Sequence, residues 1–226
     1  MNFLTIIPAR SGSKGIKNKN FINFLGKKLI EYSIIFAKKI KNNKIIISSD
    51  SKKAKILTKK YKLISEYKRP KKISKDNTLL EKTLLHAIRW SISKKINFDY
   101  ILLLQPTSPM RKINEFKKIL KILKTKKINT LCSVTKVQYH PAEYVEKKGK
   151  KWFFLLNTKR GLRQNYNDNY YFIDGSFYII NKNYFLKNKK ILSKNNFFFP
   201  LKTKYSIDID NPIDLKIGEI IYKNIR

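Results

Sequence analysis

The chain has 226 residues, of which 42% are hydrophobic and 13% aromatic; this is enough apolar material for a proper core and excludes a disordered chain. Its 51 lysines and arginines against 15 acids give a net charge of +36, but they are spread along the whole length, so they read as a solvated surface and no specific nucleic-acid partner is expected. No apolar run approaches the ~18 residues of a membrane span, no cationic and apolar leader opens the chain, and the single cysteine, Cys132, cannot form an internal disulfide; one domain over 1–226, no membrane contact and a cytoplasmic setting are expected.

In chain order, an apolar run of strand length, Phe3 to Pro8, opens into Arg10, Ser11, Gly12, Ser13, Lys14 and Gly15, then Lys17, Lys19 and Asn20, with no acid in the segment. Two glycines let backbone N–H groups turn toward a ligand while Arg10, Lys14 and Lys19 bring positive charge to the same place, which is the build of a polyphosphate cradle. The spacing fits neither the P-loop nor the G-x-G-x-x-G fingerprint. A helix follows over Lys28 to Lys41, then a β-branched strand over Lys44 to Ser48, then a helix from Ala54 to Tyr61 capped by Ser49 or Asp50. Strand, helix, strand, helix predicts an α/β fold: a mostly parallel sheet flanked by helices, with ligands outside the carboxyl ends of the strands.

Leu63 to Tyr67 reads as the next strand and delivers Arg69-Pro70 to that same edge, ahead of a polar loop over Ile73 to Thr78 and a helix over Leu79 to Ser93. Tyr100 to Leu104 is a buried-type strand ending in Gln105-Pro106-Thr107-Ser108-Pro109-Met110-Arg111, where two prolines fix the loop and hold its polar side chains at the strand end. Taken alone this could equally be a rigid strand-to-helix connection. An amphipathic helix over Ile113 to Leu123 and a strand over Thr130 to Val134 come next, the latter carrying Cys132 as a buried spacer. The period then changes: Glu143 to Glu146 and Lys151 to Leu156, joined across Gly149, predict a β-hairpin. Its Trp152, Phe153 and Phe154 suit either an interface or packing on the chain's own sheet. After a strand over Tyr170 to Asn181, Tyr205 to Asp210 alternates like another, which puts Asp208 and Asp210 on one face, and Asn211 and Pro212 start a last helix over Ile213 to Tyr222. Two carboxylates so placed, in a chain with few acids, make an oxygen site suited to Mg²⁺.

Arg10 through Asn20 closely resembles the N-terminal signature of the CMP-sialic acid synthetase family, I-P-A-R-x-G-S-K-G-[IV]-x-x-K-N. Leu103 to Arg111 matches a second family signature, LLQPTSP-x-R, and Ser206 to Asp210 a third, S-I-D-I-D. Looser matches are Arg69, Ser74 and Asp76 to an R-P pair followed by S-x-D, His140-Pro141 to an H-H-P element, and Arg163-Gln164 with Asp174-Gly175 to R-Q … N-G. The resemblance spans nearly the whole chain. It implies a Rossmann-like nucleotidyltransferase fold, with a small protruding β-element over about 139–170 used for homodimerisation, and transfer of CMP from CTP to a nine-carbon 2-keto sugar acid with release of pyrophosphate. By the same resemblance Arg10, Ser11, Gly12, Ser13, Lys19, Asn20, Arg69 and Asp76 would hold the nucleotide, and Gln105, Thr107, Ser108 and Arg163 the sugar. Arg10 and Lys19 would neutralise the leaving pyrophosphate, while Asp208 and Asp210 would carry Mg²⁺. The chain departs from well-known members where they hold the sugar carboxylate: Glu143 stands at one basic position and no arginine lies near Phe172-Ile173. The synthetases for the eight-carbon acid KDO share the fold and chemistry, but their N-terminal loop differs from the one here.

Overall fold

The structure, a computed structural model, describes residues 1–12, 15–156, 169–202 and 206–224. Strand β1 (Phe3–Pro8) is buried at all but its last position, as an unbroken apolar run must be when both faces of a sheet are covered. It pairs in parallel with β4 (Asn43–Ser48) on one side and β5 (Tyr100–Leu103) on the other. Strand β9 (Tyr171–Asn181) runs antiparallel between β5 and β6 (Thr130–Lys136), and β10 (Phe197–Pro200) lies parallel to β6 at the far edge. The six-stranded order is therefore β10-β6-β9-β5-β1-β4, a mostly parallel sheet with one reversed strand. Two short pairs stand apart from it: β2 (Asn23–Phe24) with β3 (Lys27–Lys28), and β7 (Val145–Lys148) with β8 (Lys151–Phe154).

Alternation along β1 sends Phe3 and Ile7 into one core cluster and Leu4 and Ile6 into the other, so helices cover both faces. On the first face α1 (Leu29–Lys38) and α4 (Ile113–Thr125) bring Ile34, Phe36 and Phe116 together; the Phe116 ring meets Phe3 at 5.7 Å and Phe36 at 5.9 Å, edge to face. On the second face α3 (Leu80–Ser93) and α5 (Lys182–Asn188) supply Leu84, Ile88 and Phe185. Each such side chain contributes about 1.5–3 kcal/mol by leaving water. Helix α2 (Lys52–Lys60) follows β4, with Ser51 as its cap: the Ser51 hydroxyl accepts the Lys53 N–H at 3.2 Å, one residue beyond the predicted caps. Cys132 is buried in β6, and burial pushes its thiol up to about 11.

Two predicted strands are absent among the described residues, Tyr205 at the start of the second lying outside them. Residues 63–67 carry no ladder: Leu63 N–H turns back to the Thr58 carbonyl, Ser65 and Glu66 break the apolar run, Tyr67 meets the Ser48 hydroxyl at the end of β4 at 3.2 Å through its own hydroxyl, and just past the segment Arg69 N–H donates to the Ser49 carbonyl at 3.2 Å. Residues 206–210 are extended without strand partners, because they cross a loop rather than a sheet edge; the Ile209 N–H donates to the Thr107 carbonyl at 2.9 Å. The predicted alternation still holds, since Ile209 is fully buried with Phe24 and Tyr32 while Asp208 and Asp210 stay on the exposed side. Helix α6 (Pro212–Asn224) then starts as expected, with Asn211 Oδ1 accepting the N–H groups of Ile213 and Asp214.

The hairpin forms where expected, turning at Gly149 with φ +62°, and every residue of β7 and β8 is exposed. Packing of its aromatics on the chain's own sheet is therefore not what is seen: Trp152 is 63% exposed. Among the described residues no helix is long and apolar enough to cross a membrane.

Candidate active site

Because β1, β4 and β5 are parallel, the loops at their carboxyl ends converge at one edge, and a cleft of about 560 Å³ opens there. It gathers Arg10, Lys19, Asn20, Arg69, Gln105 and Thr107, and faces Asp208 and Asp210. These residues lie nearly 200 positions apart in sequence, and topology alone brings them together.

The basic loop is held from several directions. Asn20, buried, donates to the Arg10 carbonyl at 3.3 Å, and a turn over Lys19–Phe21 follows Asn18 in the left-handed region. Ser11 does not face the cleft; its N–H and hydroxyl grip the two oxygens of Asp50 at 2.9 and 2.8 Å. Although burial pushes the Asp50 carboxyl up, those two bonds and the charge of Arg69 leave it below the ordinary range. Arg10 pairs with Asp76, and Lys19 with Asp210. Asp76 thus acts on the cation beside the cleft rather than lining it. Gly12 is exposed near the Arg10 guanidinium, while Ser13 and Arg163 lie outside the described residues. Arg69 is buried, its Nε donating to the Ile73 carbonyl at 2.8 Å, which closes the loop over 70–73.

On the other side, Gln105 and Thr107 line the cleft, whereas Ser108 is 1% exposed and sits behind it. Gly175 sits at φ +74°, a backbone conformation that favours glycine, and a Cβ there would also press on the ends of the Gln105 and Ser108 side chains, 2.8 Å from Gln105 Oε1 and 2.9 Å from Ser108 Oγ. Asp208 hydrogen-bonds Thr107 through its side chain. Its pKa is raised, first because the protein wall behind it displaces water and then through repulsion by Asp210, with Thr107 and Lys19 pulling the other way. Two neighbouring carboxylates sharing one lysine fit a divalent cation, and Mg²⁺ takes one or two carboxylates together with substrate phosphates. Among the described residues no larger cluster of His, Cys, Asp or Glu forms a competing metal site.

Two residues at this site escaped the sequence reading as site residues. Arg111 closes the second signature, yet its guanidinium points inward, donating to the Gln105 carbonyl (2.6 Å), the Ser33 hydroxyl (3.0 Å) and the Ser176 carbonyl; burial pulls its pKa down to about 9, still charged at neutral pH. Thr83, in the first turn of α3, lies at the cleft floor, is fully buried, and its hydroxyl makes no hydrogen bond among the described residues. An unsatisfied buried hydroxyl costs about 1–3 kcal/mol. The isosteric Thr83→Val is therefore expected to raise the melting temperature of the unliganded protein by about 2–4 °C in calorimetry. A lowered value would mean that the hydroxyl is engaged.

Cations after β1 facing a carboxylate pair before α6, at the carboxyl edge of a parallel sheet, define the nucleotidyltransferase class. Solved structures agree at the level of fold: CMP:2-keto-3-deoxy-manno-octonic acid synthetase complexed with CTP superposes with a TM-score of 0.71 over 100% of both chains at 13% identity. The 4-diphosphocytidyl-2C-methyl-D-erythritol synthase of Anaerococcus prevotii gives 0.64 over 98% of each at 15%. The cytidylyltransferase family model matches residues 4–215, and the chain belongs to that family. It is 29% identical to a pseudaminic acid cytidylyltransferase of Campylobacter jejuni, covering 99% of this chain and 97% of the relative. It is 30% identical to the CMP-N,N'-diacetyllegionaminic acid synthase of Legionella pneumophila, covering 97% and 95%. An N-acylneuraminate cytidylyltransferase of Streptococcus agalactiae is 26% identical over 98% of this chain but 54% of its own length.

Proposed function

We propose that this cytidylyltransferase moves CMP from CTP to the anomeric hydroxyl of a nine-carbon 2-keto sugar acid. The observation that carries the reading is the convergence of Arg10, Lys19, Asp208 and Asp210 on one cleft. The hydroxyl oxygen forms a bond to the α-phosphorus, the bond from that phosphorus to the β-phosphate oxygen breaks, pyrophosphate leaves, and the hydroxyl proton passes to solvent. Negative charge builds on the leaving group, where Arg10 and Lys19 are already fixed; preorganised donors of this kind are worth about 3 kcal/mol each. Their present carboxylate partners are solvent-exposed and weakly binding, so a triphosphate displaces them at little cost. Asp208 and Asp210 would hold Mg²⁺, which when bound supplies charge neutralisation to the phosphates. Arg69 and Asn20 are assigned to the nucleotide, Gln105 and Thr107 to the sugar.

The acceptor class is supported by the names of the relatives that match this chain over nearly their whole length, which specify pseudaminic and legionaminic acids. Glu143, exposed at the end of the turn over Pro141–Glu143, and the loop from Arg10 to Asn20 favour a legionaminic-type sugar. We also assign a homodimer, built on the hairpin. A two-stranded hairpin is marginally stable by itself, and exposed Trp152, Phe153, Phe154 and Leu155 gain from a covering partner. A cytoplasmic setting suits the buried free thiol of Cys132.

The test is pyrophosphate release from CTP and Mg²⁺ with N-acetylneuraminic, legionaminic and pseudaminic acids and KDO in parallel, on material whose mass is read by light scattering. Release with a nine-carbon acid, from a dimer, is expected. Release with KDO alone overturns the acceptor, and a monomer overturns the assembly. Polyanion binding that collapses with salt, without turnover, would instead mark a nucleic-acid protein.

A further inference from the structure

The ladder between β6 and β9 breaks beside the cleft. Cys132 pairs with Tyr178 and Val134 with Ile173, so residues 174–177 bulge opposite Ser133 alone. Ser133 fills the gap: its hydroxyl accepts the Phe177 N–H at 2.9 Å and donates to Asp174 Oδ1. The same Oδ1 accepts the Ser176 N–H at 3.1 Å, and Oδ2 accepts the Ser206 hydroxyl at 3.1 Å. Asp174 is 2% exposed. All three partners donate to it, a pattern that suits a carboxylate, which only accepts; an asparagine would need one hydroxyl reversed. Its buried charge faces that of Arg111, which is itself tied to Ser176 and Gln105.

Ser206 lies two residues before Asp208. The extended segment is anchored at its end by Asp214 Oδ2, which accepts the N–H groups of Asp210 and Asn211 at 2.9 Å, and in the middle by Ile209 to Thr107. Its start is fixed by Ser206 on Asp174. We infer that Asp174 is a positioning residue which, through Ser206, holds the segment carrying Asp208 and Asp210 against the acceptor side of the cleft. The inference rests on the proposed role of those two carboxylates as metal ligands.

The variant that isolates the tether is Ser206→Ala, because Asp174→Ala would also strand Arg111. Mn²⁺ binding to the protein–CTP complex is measured by electron paramagnetic resonance, alongside the Mg²⁺ concentration giving half-maximal turnover. Loss of a partner that orients a ligand typically costs 10–100-fold in metal affinity. Ser206→Ala is expected to weaken Mn²⁺ about tenfold and raise the Mg²⁺ requirement equally, with metal-free CTP affinity and sugar KM unchanged, while the melting temperature falls by about 2–4 °C because the buried Asp174 Oδ2 loses its donor. Ser206→Thr should restore both, and adding Asp174→Asn to Ser206→Ala should cost Mn²⁺ affinity no more than Asp174→Asn alone. Unchanged Mn²⁺ affinity in Ser206→Ala, or a loss shared equally by metal-free CTP affinity and sugar KM, overturns the tether. Wild-type protein that binds CTP but no Mn²⁺ overturns the metal reading and the tether with it. Wild-type binding of both without turnover on any sugar acid overturns only the proposed acceptor.

Discussion

Asp210→Ala is expected to lower CMP transfer at saturating Mg²⁺ by about 10²–10³-fold, while metal-free affinity for CTP stays level or improves. The two halves have one cause. Asp210 is exposed on the cleft, with its carboxylate on Lys19 and its N–H on Asp214, so it buries no apolar surface of its own. Removing it changes no core contact, but it takes away one of two carboxylates available to the metal and several kcal/mol of charge stabilisation with it. Lys19 is meanwhile released, and the cleft gains one unit of positive charge toward a polyanion. Structural damage would weaken CTP binding and turnover together. The check is kcat at several Mg²⁺ concentrations, with CTP binding measured in EDTA; magnesium-dependent turnover left intact would remove the metal assignment.

How far the sequence reaches is visible in the same residues. Strand β1 is legible as an unbroken apolar run, α1 and α3 from apolar residues at helical spacing, and α6 from a local start signal, Asn211 with Pro212. The cleft residues are legible as motifs, since the loops after β1 and β5 carry residues a plain turn does not need. The apolar residues of Leu63 to Tyr67 and the alternation of Tyr205 to Asp210 predict strands, but such patterns report burial, not whether a neighbour offers a hydrogen-bonding edge. Residues 206–210 still turn Ile207 and Ile209 inward, whereas in 63–67 Ser65 and Glu66 are both exposed and only Leu63, Ile64 and Tyr67 pack against the core. The bulge at residues 174–177 has no local signature apart from Gly175: Ser133 looks like one more small residue of a core strand, and its role depends on β9, some 40 positions later. Arg111 was in plain view within a motif. Its inward direction follows from carbonyls presented by Gln105 and Ser176, which pairing of β5 with β9 brings close and no short window can show.

Gly15→Ala is expected to reduce kcat/KM by about a hundredfold in a protein that folds normally. Gly15 has no positive φ, so alanine meets no backbone strain; what it meets is the Asp210 carbonyl oxygen, which an added Cβ would overlap. A flexible side chain would rotate away. This oxygen belongs to a peptide whose neighbours are fixed, since Ile209 N–H is held by Thr107 and the N–H groups of Asp210 and Asn211 by Asp214. Either the basic loop or the carboxylate segment must retreat, by on the order of 1 Å, a displacement that can cost 10²-fold when reacting groups are held by position. The retreat strains the bonds at Thr107 and Asp214, but Gly15 is exposed and joins no core cluster, so the fall in melting temperature should be small beside the loss of activity. Steady-state kinetics with thermal unfolding of the same sample reads both. Wild-type kcat/KM in a folded Gly15→Ala protein would show that the cation loop and the carboxylate pair do not need this approach to work together, and catalysis would then have to be attributed to each half separately.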